Sequence, residues 1–505
     1  MATVDEIVAT THTHEYKVTF KSAVWGTILA TVGMAALYAL FGLPPGFDNY
    51  YEVMFFHSIG IGIAALAVFM VIVAFDLRKY EPGLDMPLYY RALSAVLFGA
   101  LGGLLFLIPE TQDLRGLPMG FTFLGLLMIA DAGGALFIEL LLLPRKKAGV
   151  YAMNYELRPV PTQMGYLSRM LPLRKEDRAA YRKMPVSYWL ILVSVGSAFI
   201  AGIVGFVNLW VMTFGPSIFS GYMNFLGLDQ GGFLDATLDP HSHEMALAIM
   251  AGIIAIAAER FGVLRAADVR EKIAKLGLSV SLAGVVGMTV VFLAIAFANF
   301  DPGTWFAAPP NGLAGDDMVM SVIAIGAMIA LVPLALTPRE ADGRSSWRDP
   351  VRLSLLGTWV AAVVISVIAA FYVEFHEDLF GDALAANDAV FGELQSLFGV
   401  FLLTAVSLIL LAVDLYNVKG SARRLVGWVA GLGVLVGTGG AMLWAFVDPT
   451  VGGASFWVHV LGIGLTGVAA LVSVVAIHAV PVPKGTILRI YAPADLEAAT
   501  GSPDR

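Results

Sequence analysis

The sequence predicts an all-α, polytopic membrane bundle of about twelve transmembrane helices, and three observations predict it. The 505 residues are 58% apolar and only 14% charged, with a mean hydropathy of +0.78, whereas soluble domains are close to half apolar and a quarter charged. Runs of roughly 20 apolar residues, the length that crosses about 30 Å of hydrocarbon, recur along the whole chain. Lysine and arginine fall almost entirely in alternate connections between those runs.

The runs lie near 23–43, 53–75, 91–109, 120–144, 187–214, 241–261, 276–298, 317–337, 353–373, 391–413, 425–446 and 457–480. Cationic side chains resist translocation, while acidic ones count for little. Of the 31 Lys and Arg, all but Arg115 lie in the N-terminal segment, the even-numbered connections or the tail. That bias expects an even number of spans, both termini cytoplasmic, and a multi-pass protein of the cytoplasmic membrane. No cleavable signal peptide is expected, because the first twenty residues are polar. The chain reads as one integral domain, 1–505: helices 1–4 at 23–144, a basic cytoplasmic loop at 145–186, helices 5–12 at 187–480 and a cytoplasmic tail at 481–505.

Composition removes several kinds of chemistry. With no cysteine, disulfides, iron–sulfur clusters, thiolate zinc and covalently attached c-type haem are excluded, since each needs sulfur. A net charge of −8 gives no basic footprint for nucleic acid. The acidic outer loops (Asp48, Glu52, Glu110, Asp113, Glu374, Glu377 and others) read either as a solvated face or as a docking surface for a redox partner subunit or soluble electron carrier. In the basic loop, the stretch 174–183 expects an amphipathic segment on anionic lipid.

Five of the eight histidines, His57, His241, His243, His376 and His459, fall in the outer half; His12, His14 and His478 fall on the cytoplasmic side. Span two reads His57-Ser-Ile-Gly60-Ile-Gly and span twelve His459-Val-Leu-Gly462-Ile-Gly, a shared H-x-x-G-I-G. The glycine three residues on lies on the histidine's face. The pair can present a flat slot with two axial ligands to a haem b, or the glycines can serve close helix packing while each histidine bonds a neighbour.

Span six opens Asp239-Pro-His241-Ser-His243-Glu244-Met, with Asp239 expected as N-cap and Pro240 at the first helical position. His241 and Glu244 then share a face and His243 points elsewhere. Span ten begins Phe391-Gly-Glu393. His241 or His243 with Glu244 or Glu393 suits copper, iron or another metal, or else a proton-exchanging or interfacial role. Asp131, near the middle of span four, reads as part of an ion or proton path continued by Glu139, or as a structural, hydrogen-bonded carboxyl. No Lys or Arg is expected in a span interior, so no salt bridge is expected for Asp131.

Twelve spans, inside termini and His or carboxylate at the outer ends of spans two, six and ten resemble the large subunit of the haem-copper oxidase and nitric oxide reductase superfamily. The resemblance implies that His57 matches a low-spin haem ligand and that His241 or His243 occupies the region of a copper ligand. The His-His pair of span seven, the His-x-His of span ten and the tyrosine after the span-six histidines, which build the oxygen-reducing centre, are absent. The functional expectation is thus a membrane-embedded haem- or metal-binding redox protein of a respiratory-type electron-transfer chain, lacking that centre. A proton-coupled secondary transporter and a structural subunit of a larger membrane complex are the competing readings.

Overall fold

In the computed structural model, the described residues are 86–106, 116–147, 175–298, 315–337, 349–363, 403–415 and 418–479 with two gaps at 449 and 451, plus isolated positions between 63 and 73 and at 365. Every regular element among them is helical: α1 (Met86–Phe106), α2 (Gly116–Lys147), α3 (Lys175–Arg182), α4 (Val186–Phe214), α5 (Ser220–Leu226), α6 (Gln230–Arg260), α7 (Val269–Ala298), α8 (Gly315–Leu336), α9 (Pro350–Val363), α10 (Leu403–Leu415), α11 (Gly420–Phe446) and α12 (Ala454–Ala479). Five of them, within α2, α4, α7, α11 and α12, are long and apolar enough to cross a membrane. Span one and most of span two lie outside the described residues, as do His57, Gly60, His376 and Glu393.

The helices pack mainly as antiparallel neighbours: α1 on α2, α4 on α6, α7 on α8 and α11 on α12, with α7 also lying against α4 and α6. One large core of Ala, Ile, Leu and Val with a few aromatics runs through them, beside two smaller apolar clusters. Between apolar helices in lipid the driving term is close van der Waals fit rather than exclusion of water, which favours small residues at the seam. The α11–α12 seam shows this most clearly. A Cβ on Gly462 would overlap the backbone of Gly437, and one on Gly433 would come within 2.8 Å of the Thr466 nitrogen. We expect Gly462→Val to force the two helices apart at a cost of about 1–3 kcal/mol or more, read as a lowered midpoint in thermal unfolding of the detergent-solubilised protein.

Two sequence expectations are corrected here. The sixth helix starts not at Asp239 but at Gln230, where Asp229 Oδ1 accepts the Gly232 N–H at 2.8 Å. Its extra turns are held by apolar contacts of Phe233 with Val211, Met223 and Leu226, and Thr237 donates to Asn208 Oδ1 at 2.8 Å. Pro240 therefore lies inside the helix. The second correction concerns Asp131. Arg91 lies within α1, not in a connection, and its Nη1 stands 3.0 Å from Asp131 Oδ2, close enough for an ion pair though off-line for a directed hydrogen bond. The Asp131 side chain is 36% exposed, so it faces α1 rather than being enclosed alone.

Candidate functional site

The most deeply buried ionisable side chain of the described residues is Glu244, with 0% exposure. It sits where α6 meets α4 and α7. Ser197 of α4 donates to its Oε1 at 2.6 Å, and Thr289 of α7 donates to Ser197 Oγ at 2.9 Å or to Val285 O at 2.8 Å. Glu244 Oε2 is buried and has no hydrogen-bond partner among the described residues. Ser194 Oγ, one helical turn away on α4, is likewise buried and unpartnered. A bare carboxylate oxygen in an apolar interface costs several kcal/mol, so the charge of this group has to be balanced by a proton or a cation.

His241 lies one turn from Glu244 on the same face, as its spacing predicts. It is buried, and its Nδ1–H donates to the Ala201 carbonyl at 2.6 Å, which assigns the tautomer. Its ring rests on the bare backbone of Gly205, where any Cβ would overlap it. Beside it is a cavity of about 40 Å³, walled by Leu66, Met70, Leu126, Ala198 and Phe206. The side chain of His243 lies outside the described residues.

Together these groups form a polar file along the α4–α6 seam. From one end to the other it runs Glu259 with Ser187, then Ser194, then Ser197 with Glu244 and Thr289, then His241, then Asn208 with Thr237. Ser187 and Asn208 are 21 residues apart on α4, about 32 Å at 1.5 Å per residue, which is close to a bilayer's hydrocarbon thickness. Between Ser187 and Ser194 the file is interrupted by buried Leu190, Ile191 and Leu192.

On α12, His459 is buried, donates from Nδ1 to the Gly437 carbonyl at 2.9 Å and stacks on Trp444 with ring centroids 5.9 Å apart. The flat slot expected beside it does not form, because Gly462 is filled by the α11 backbone at Gly437. The described half of the H-x-x-G-I-G pair thus has the close-packed form and does not fit a macrocycle. No group of three or more His, Asp or Glu close enough to hold a metal occurs among the described residues. Glu139 is buried in α2 and Asp131 pairs with α1, so neither belongs to the α4–α6 file.

Sequence reading missed a second cluster. Asp414 of α10 pairs through Oδ2 with Arg260 Nε at 2.9 Å and through Oδ1 with Arg423 Nη2 at 2.8 Å. Arg423 also grips Asp349, Nε to Oδ1 at 3.1 Å and Nη2 to Oδ2 at 2.7 Å. Arg352 completes the group, 3.8 Å from Asp349, donating to the Thr337 carbonyl at 3.2 Å, its guanidinium 4.2 Å above the Phe261 ring. The signal was present as opposite charges bracketing the ends of spans six, nine, ten and eleven, but those charges also fit a solvated loop, and only the packing buries them.

Compared with known proteins, the chain matches no family model, no curated protein and no solved structure. The functional reading therefore rests on the side chains alone.

Proposed function

We propose that the protein is a proton-coupled secondary transporter of the cytoplasmic membrane, with Glu244 as the group that takes up and releases the coupling proton. The observation that carries this reading is the buried Glu244 carboxyl, hydroxyl-bonded through Ser197 on one oxygen and without a hydrogen bond on the other among the described residues. An intramembrane ionisable group facing the bundle interior is expensive and is kept for ion or proton traffic.

His241 is the neighbouring relay on the side of Asn208 and Thr237. The cavity beside it is walled by apolar side chains apart from the imidazole. On the other side the file breaks at Leu190–Leu192, so a proton reaching Glu244 does not leak through in a static bundle. Transport coupling needs such a break: a continuous polar file would only dissipate the gradient.

The end of the bundle bearing Arg260, Arg352 and Arg423 is assigned to the cytoplasm by the distribution of Lys and Arg. A cysteine placed at Ser168, in a chain with no native thiol, is then expected to react with impermeant maleimide only in inside-out vesicles. The decisive experiment for the function is reconstitution. Proteoliposomes are expected to take up protons, by quenching of a pH-sensitive dye, only when the transported solute is supplied from a panel. On this reading a reduced-minus-oxidised spectrum of the purified protein carries no haem α band. A haem band lost in His57→Ala would instead support the redox reading.

A further inference from the structure

We propose that Asp414 is the clasp of a gate at the basic end of the bundle, holding α6 to α11 through Arg260 and Arg423. This goes beyond proton coupling at Glu244 and stands or falls without it. Among the described residues α6 packs along α4 and α7, while α11 packs along α12. What joins these two sets at the basic end is α10 with Asp414, together with the start of α9, which packs on α11 at Gly427 and lays Arg352 over Phe261 at the end of α6. Asp414 is central: one carboxylate oxygen meets Arg260 of α6 and the other meets Arg423 of α11, and its backbone carbonyl accepts Arg260 Nη2 at 2.9 Å.

The chemistry of the contact suits a surface that is made and broken. Replacing buried ion pairs with apolar side chains of similar volume would hold helices together as well or better. Apolar faces, however, would be penalised each time separation exposed them to water, whereas separated Arg and Asp side chains regain hydration. Closure is also imperfectly balanced. Arg423 Nη1 is buried with no hydrogen-bond partner among the described residues, so part of the cost of burying these charges stays uncompensated in the closed state. Asp349, by contrast, is gripped at both oxygens by Arg423 and lies next to Arg352 at the start of α9. It anchors Arg423 in both states, while Asp414 makes the removable contact.

The test uses the cysteine-free chain with Ser407→Cys. Ser407 is buried on α10, two helical turns from Asp414 on the same face, so a thiol there lies behind the closed clasp. Inside-out vesicles are treated with an impermeant maleimide and the labelling rate is measured. Adding Asp414→Asn is expected to speed labelling about tenfold, the change in an opening equilibrium when about 1.4 kcal/mol of closure is lost. Adding Arg260→Met with Asp414→Leu replaces the charges by an apolar contact and is expected to slow labelling below the parent rate, with thermal stability kept. This double variant decides the matter should Asp414→Asn fail to fold. The proposal is overturned if either variant, folded, labels at the parent rate. Both comparisons are repeated with Glu244→Gln, which alters proton uptake and leaves the response to Asp414 unchanged. Failure of the gate is thereby separated from failure of the coupling site.

Discussion

Glu244→Gln is expected to leave the bundle folded and, on the proposed reading, to suppress proton-driven transport. The amide is nearly isosteric with the carboxyl, keeps an acceptor for Ser197 Oγ and carries no charge, so the cost in stability is about 1–3 kcal/mol, that of the buried amide N–H groups at the Oε2 position. What it removes is the titratable carboxyl at the centre of the α4–α6 file. Solute-dependent proton uptake in proteoliposomes is expected to fall at least about a hundredfold, the lower end of the usual loss on deleting one positioned acid or base. Solute exchange without a gradient is expected to survive, because the binding site and its movements remain. Uptake at the parent rate in a folded Glu244→Gln protein would remove Glu244 from the mechanism. Ser197→Ala serves as the graded companion, since it strips the remaining hydrogen bond from Oε1 and leaves the proton in place.

Asp349→Ala produces the largest loss of stability. Arg423 donates to both Asp349 oxygens and is itself almost wholly buried, so truncating the aspartate leaves a buried guanidinium with Asp414 Oδ1 as its remaining carboxylate contact among the described residues. Removing one partner from a buried ion pair costs up to about 3–5 kcal/mol, a substantial share of a protein's net stability of about 5–15 kcal/mol. The expected result is a strongly lowered unfolding midpoint and poor recovery from the membrane. Combining Asp349→Leu with Arg423→Met removes the charge together with its partner and is expected to regain most of that loss. A double variant as unstable as Asp349→Ala would show that the cost lies in shape and not in the uncompensated charge.

The helical membrane class was legible because it depends on composition and run length, which no tertiary detail can reverse. The ends of the fifth span, 187–214, agree with α4 (Val186–Phe214) to one residue, since Pro185 and Gly215 bound the apolar run. The sixth was read eleven residues short. Asp239-Pro240 is a good local start signal, but Asp229 is an equally good one, and contacts of Phe233 and Thr237 made far along the chain decide between them. The shared face of His241 and Glu244 followed from helical periodicity alone. Their partners did not, because Ser197 and Thr289 are ordinary residues of apolar spans until packing places them opposite a carboxyl. Arg91 misled for a related reason: at the edge of an apolar run it reads as a loop cation, and only the pairing of α1 with α2 brings it to Asp131.

The glycine seam between α11 and α12 bears on how the chain is built as well as how it stands. Gly427, Gly431, Gly433, Gly437, Gly439 and Gly440 leave α11 with little intrinsic helical preference, and its most apolar window has a mean hydropathy of 1.7 against 2.5 for α12. Leaving the ribosome alone, α11 is a weak membrane passenger. Its partner α12 is strongly apolar and offers the matching face at His459, Gly462 and Thr466. The two helices are therefore expected to enter the bilayer as a hairpin, the later one helping the earlier. A nascent chain cut off before Ala454 would carry α11 as an unescorted segment, the kind that membrane quality control removes.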